Sequence, residues 1–278
     1  MPIPEISDPV FQEALSAMDA GQVSLLERLL EEHPRLVRDR IDYGEGYFHK
    51  PYLLWFVAEN PVRTGRLPGN IVDVARVILR AASRMRVDTL REQTDYALSL
   101  VSSGRIARES GAQLPLIDVF CDAGADPGGA VVPALAHREL PAARRLLERG
   151  APWTLLAAVC MGESDAVEHL ARAASAKDRQ LALAGAAFYG RTAPLSLLLR
   201  LGVDLNAYSP AGFHPHATAL HHAVDSGSLD AVRMLVEAGA KLDAKDRVHQ
   251  GTPLDWARYL ERREIAAYLQ AAATGAAP

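Results

Sequence analysis

The feature that most constrains this chain is a self-similarity near its C-terminal end. Thr218-Ala-Leu-His-His-Ala223 recurs 34 residues on as Thr252-Pro-Leu-Asp-Trp-Ala257. Each copy leads into a second apolar stretch with helical spacing, Leu229 to Val236 and then Glu264 to Leu269. A fixed period in this range means that each unit is one supersecondary element. Such a unit cannot bury its apolar face alone and must stack on a neighbour. The letters have physical reasons. Threonine caps a helix N-terminus with its hydroxyl, and proline suits the first helical turn. Leu220 and Ala223 fall three apart on one helix face, where a small residue lets the next helix approach. Gly239 supplies the positive φ needed where a second helix ends.

Weaker copies line up on the same leucine position. The anchors are residues 14, 54, 98, 131, 155, 183, 220 and 254, which gives eight helix pairs and an all-α repeat solenoid over residues 1–270. The alanine-rich segment 271–278 is expected to be a disordered tail. Spacings between anchors run 40, 44, 33, 24, 28, 37 and 34. The short central gaps leave no room for full hairpin fingers. The long gaps hold insertions: residues 41–51, residues 60–70, and residues 207–217 near the other end.

The pattern Thr-Pro-Leu-His-x-Ala at Thr218 and Thr252 resembles the ankyrin-repeat family. The stretches Gly-Ala-Gln-Leu-Pro-Leu-Ile-Asp-Val-Phe-Cys-Asp-Ala-Gly-Ala-Asp (111–126) and Leu-Leu-Glu-Glu-His-Pro-Arg-Leu-Val-Arg (29–38) are similar to a divergent bacterial subgroup of it. The resemblance implies recognition of a protein or peptide through inner helices and hairpin fingers. It also implies a structural role for His221, bonding neighbouring backbone. This chain departs from the pattern at Trp55 and Asp255, which stand where the family has that histidine.

Aligned on the repeat, the inner-face positions read Phe56 and Glu59, Pro133 and Ala136, Ala157 and Cys160, Gly185 and Phe188, His222 and Asp225, and Trp256 and Tyr259. These are expected to face solvent along a groove, with aromatics and charge towards the ends. The fingers add Tyr43 and Phe48 at one end and Phe213 and His214 at the other. Together, Tyr43, Phe48, Phe56, Glu59, Phe188, Phe213, His214, His222, Asp225, Trp256 and Tyr259 form the expected partner-binding set, since loops carry function and aromatic anchors concentrate binding energy.

Composition excludes several classes. A net charge of −4 gives no basic footprint for nucleic acid. No apolar run approaches a membrane span and no secretory leader opens the sequence, so a cytoplasmic protein with no membrane partner is expected. Cys121 and Cys160 are too few for a disulfide framework or a cysteine-based zinc site. Of 30 basic residues only Lys50, Lys177, Lys241 and Lys245 are lysine, which reads as a GC-rich, bacterial genome.

The strongest candidates for chemistry are His214, His216, His221, His222 and His249, with Asp225 and Asp255 in repeat register. None has a zinc-binding spacing, and no phosphate loop or nucleophile elbow is present. No cofactor and no metal are therefore expected. Three readings follow: a protein-binding adaptor, inhibitor or immunity-type module; a small-molecule binder or unusual enzyme using His222 and Asp225; and a structural spacer.

Overall fold

The structure is a computed structural model that describes residues 6–275. Those residues are almost entirely helical, with no β-strand and one isolated antiparallel bridge between Tyr208 and Thr218. The chain divides into two compact units, Met1–Pro152 and Trp153–Pro278.

In the first unit, four helix pairs follow one another. They are α1 (Pro9–Asp19) with α2 (Val23–Glu32), a 3-10 helix (Leu53–Ala58) with α3 (Ile71–Arg84), α4 (Leu90–Ser102) with α6 (Gln113–Asp122), and α7 (Pro127–Ala136) with α8 (Leu140–Glu148). The short α5 (Arg105–Glu109) sits inside the third pair. First members pack on first members: α1 on the 3-10 helix, that helix on α4, and α4 on α7. Second members form another layer through α2–α3, α3–α6 and α6–α8. The second pair departs from a regular α-hairpin. Its first helix has six residues, all buried, is wound as 3-10 turns and ends at the left-handed Glu59 (φ 48°).

The second unit repeats the plan. It contains α9 (Leu155–Met161) and α10 (Ser164–Ala173), α11 (Ala176–Phe188) and α12 (Thr192–Arg200), α13 (Ala219–Ser226) and α14 (Leu229–Glu237), then α15 (Pro253–Tyr259) and α16 (Arg263–Ala273). The row α9–α11–α13–α15 forms one layer and α10–α12–α14–α16 the other. Alanines do the close packing: Ala158, Ala182, Ala186, Ala223 and Ala257 have no exposed surface. The tightest approach is at Gly185, where a Cβ would lie 2.5 Å from Leu156 Cδ1 and 3.0 Å from Cys160 Sγ. Gly185 and Cys160 therefore look at the neighbouring helix and not at an open groove.

Finger lengths follow the anchor spacings. Only Ala174 and Ser175 join α10 to α11, and Ser175 Oγ caps α11 by accepting from the Asp178 amide at 3.1 Å. The enlarged finger at 207–217 closes on itself, the Ser209 amide donating to the Ala217 carbonyl at 3.0 Å. It is also tied to the next finger, because the Arg247 amide donates to the His216 carbonyl at 2.8 Å and Tyr208 Oη to the Lys245 carbonyl at 2.6 Å. Gly239 adopts the positive φ its position requires, 94°. The helix α16 continues through Ala273 into the stretch expected to be a tail, and residues 276–278 lie outside the described residues.

Candidate interaction site

In the second unit, the site is built on two helix starts. Thr252 caps α15: its Oγ1 accepts from the Asp255 amide at 3.2 Å, and Asp255 Oδ2 accepts from the Thr252 amide at 2.9 Å. Asp255, standing where the family has histidine, thus closes a reciprocal capping box. Thr218 and His221 do the same for α13, Thr218 Oγ1 and His221 Nδ1 lying 2.8 Å apart. His221 Nε2 reaches the Gly251 carbonyl at 3.1 Å, bonding the next finger as the resemblance implied. The ring is fully buried, and burial, partly offset by Gly251 and Asp246, pushes its pKa down. Trp55 plays a parallel part in the first unit: its Nε1 donates to the Gln93 carbonyl at 3.2 Å.

The finger before α15 turns around Asp246, a residue absent from the sequence-derived set. Its side chain has no exposed surface and accepts four hydrogen bonds. Oδ1 takes the Val248 and His249 amides at 2.9 and 2.7 Å, and Oδ2 takes the Gly251 amide at 2.9 Å and Trp256 Nε1 at 3.0 Å. Burial opposes ionisation, but these donors prevail and hold the carboxyl well below the usual carboxylate range. The available signal was an aspartate five residues before a glycine in a turn, which is how such side chains cap amides.

Asp246 fixes the indole of Trp256. Its ring also packs edge-on to His221 at 5.1 Å between centroids and lies against His216 at 6.0 Å. One turn further along the same face stands Tyr259, which is 87% exposed. A cleft of about 500 Å³ opens here, lined by His216, Asp225, His249, Gly251, Asp255, Trp256, Tyr259 and Leu260. His216 and His249 share this cleft, and His214 approaches His216 at 6.1 Å between centroids. No group of three or more His, Cys, Asp or Glu side chains among the described residues is arranged to hold a metal ion.

Tyr43, Phe48, Phe56, Phe188, Phe213 and His222 are buried and do not face solvent, which corrects the sequence expectation. Phe213 is fully buried, Phe188 is 5% exposed and His222 2%. Phe188 packs edge-on to Phe213 at 5.4 Å and to His222 at 5.9 Å, and His214 lies over Phe188 at 4.8 Å. His222 Nε2 and the buried Ser209 Oγ are 2.8 Å apart. In the first unit the finger again folds inward. Tyr43 and Phe48 are buried against Phe56, with centroids at 5.7 and 5.1 Å, and Phe56 also meets Phe11 at 5.7 Å. Rings of this size bury too much apolar surface to remain in water when an inner helix lies beneath them. The residue that does stay out is Tyr47, 59% exposed, which the sequence reading passed over. It borders a smaller cleft of about 300 Å³ with Asn60, Tyr96, Ser99, Leu100, Ser103, Pro133 and His137.

Glu59 is also buried and does not line a groove. Its Oε1 accepts from the amides of Arg63 and Gly65, both at 2.8 Å, and from that of Thr64. It therefore organises the 61–65 loop from within. Ala136, Ala157 and Cys160 are likewise buried, and burial drives the Cys160 thiol upward out of the reactive range.

Comparison with known proteins agrees with the architecture. A family model described as "Ankyrin repeats (3 copies)" matches residues 155–246 and 209–276. The ankyrin repeat and SOCS box protein 6 of Homo sapiens is 41% identical over 68 residues, 24% of this chain and 15% of that protein. Its Mus musculus counterpart is 40% identical over the same length and is covered over 16%. The chain thus spans only a small part of these relatives. The cyclin-dependent kinase inhibitor 2A of Homo sapiens is 32% identical over 143 residues, 49% of this chain and 86% of that protein.

Proposed function

The chain belongs to the ankyrin-repeat family, and we propose that it is a recognition module that holds a protein or peptide partner at the Trp256–Tyr259 cleft of its second unit. One observation carries this reading: Tyr259 is 87% exposed beside a half-buried Trp256 whose indole is already fixed by Asp246. A large ring held out in water beside an ordered aromatic wall matches the hot spots of protein interfaces. Because Trp256 is ordered before binding, little side-chain entropy is lost on association.

The relatives' names describe an SOCS box protein and a kinase inhibitor, and an adaptor or inhibitor role here is in keeping with them. An immunity-type role fits the same mode of action. The arginine-over-lysine bias supports a bacterial host, and a cytoplasmic setting suits a chain in which no described helix is long and apolar enough to cross a membrane. The rival reading, a small-molecule binder or enzyme using His222 and Asp225, is the weaker one. His222 is 2% exposed and engaged with Ser209, so it is poorly placed as a base.

The test is Tyr259→Ala. A hot spot of about 2 kcal/mol would weaken partner affinity roughly 30-fold. The helical circular dichroism should stay unchanged, because the side chain packs on little. Undiminished affinity would remove Tyr259 from the interface.

A further inference from the structure

The cleft of the second unit has a definite chemistry. The lining includes the carboxylate of Asp255, which stands at the start of α15. Two aromatic rings, Trp256 and Tyr259, and two imidazoles, His216 and His249, complete the polar and aromatic wall. Both bonds from Thr252 to Asp255 end on one oxygen, Oδ2, at 2.9 Å for the amide, with Thr252 Oγ1 at 2.6 Å. Oδ1 is not used by the capping box. Hydrogen bonds from Thr252, first its hydroxyl and then its amide, hold Asp255 below the usual carboxylate range, and Arg258 and Lys245 add to this from outside the lining. Asp255 is therefore ionised at neutral pH.

The indole face is shaped in advance. Trp256 Nε1 is spent on Asp246, and the ring meets His216 at 6.0 Å and, edge-on, His221 at 5.1 Å between centroids. What the cleft offers an incoming group is thus aromatic surface and the Asp255 carboxylate. Neutral and anionic side chains satisfy only part of that offer. A cation gains from the ring quadrupole and from the carboxylate together. Guanidinium fits better than ammonium: it is flat, stacks on rings, is weakly hydrated and presents several donors to a carboxylate.

We infer that this cleft takes the guanidinium of an arginine side chain presented by the partner, between the Trp256–Tyr259 wall and Asp255. This rests on the interaction-module reading above and specifies the partner's chemistry.

The test uses the full chain labelled with 15N and four capped tripeptides: acetyl-Gly-Arg-Gly amide and its citrulline, lysine and glutamate counterparts. Citrulline keeps the shape of arginine without its charge. The expected result is a saturable shift of the Trp256 indole signal with the arginine peptide at millimolar concentrations. The citrulline and glutamate peptides should bind at least tenfold more weakly, and lysine measurably more weakly. Tyr259→Ala and Asp255→Asn should each reduce arginine binding by fivefold or more, their amide spectra otherwise retaining the native pattern. Asparagine can keep the Thr252 cap, so this variant separates charge from folding. Equal shifts with arginine and citrulline, equal binding of lysine, or no shift at Trp256 would each overturn the inference. Failure here is distinguishable from failure of the broader reading. If Tyr259→Ala weakens the partner while no peptide discriminates, the interface stands and its arginine chemistry falls. If arginine discriminates but Tyr259→Ala leaves the partner bound, the cleft chemistry stands and its role as the partner interface falls.

Discussion

Replacing Asp246 with asparagine changes no volume, yet it should be among the most damaging substitutions in the second unit. The carboxylate receives two donors on each oxygen, from Val248 and His249 on Oδ1 and from Gly251 and Trp256 on Oδ2. Asparagine can keep one pair on its carbonyl oxygen. Its NH2 must then face the other two donors, leaving two buried N–H groups without an acceptor. Hydrogen bonds to a charged acceptor contribute about 1.5–3 kcal/mol each, so the loss should be about 3–6 kcal/mol. With a urea slope of about 1–3 kcal/mol per molar, the transition reporting on this unit should move down by roughly 1–6 M. Urea melts followed by helical circular dichroism give the overall transition, and the Trp256 indole NMR signal reports locally. Asp243→Asn, an exposed aspartate on the same finger, is the control and should stay within about 0.5 kcal/mol. A midpoint for Asp246→Asn that coincides with this control, with the indole signal unmoved, would refute the central role given to this carboxylate.

Three further outcomes follow from the burial pattern. Phe56→Ala removes a 3%-exposed ring packed by Phe11, Tyr43 and Phe48 and should cost about 3–5 kcal/mol, read as a lowered midpoint in thermal melts. Glu59→Ala should release the amides of Arg63, Thr64 and Gly65, read as hydrogen exchange at least tenfold faster at those three positions while α1 exchange is unchanged. Stability of the second unit should fall on acidification in two stages. His221 has its folded pKa lowered, so the unfolded chain binds its proton first, and stability present above about pH 6.5 is lost as pH falls below that value. Asp246, also lowered, keeps its contribution down to about pH 4 and loses it below. His221→Gln should flatten the upper stage in thermal melts recorded between pH 7.5 and 5, whereas an unchanged slope would mean that His221 is not its source.

Much of the fold could be read from the sequence because stacking is periodic. The anchor positions at Leu98, Val131, Leu155, Leu183, Leu220 and Leu254 all fall on first helices, and the caps at Thr218 and Thr252 form as the motif requires. The short central gap became the two-residue link Ala174–Ser175. What could not be read is which side of a finger turns inward. A finger has neither the period of a helix nor that of a strand, so Tyr47 and Phe48 are equivalent as letters. The apolar bed beneath them decides that Phe48 is buried and Tyr47 exposed. The same cause placed Tyr43, Phe213 and Phe188 inside. Asp246 escaped notice because its role depends on an amide ring that exists only once the turn has closed. Trp55 read as a departure from the family pattern, yet its indole still bonds the next helix's backbone. Trp256 and Tyr259 came through as candidates because they sit at regular helical positions of a strongly patterned repeat.

The most direct test of the interaction site is position-specific photocrosslinking in the native host. A photoreactive phenylalanine analogue is placed at Tyr259 on the cleft, or at Asp230 on the exposed face of α14. The expected result is one discrete adduct from position 259, identified by mass spectrometry, competed away by the unlabelled wild-type chain, and absent from position 230. An adduct formed at position 230 and not at 259 would contradict the assignment of the partner to the Trp256–Tyr259 cleft.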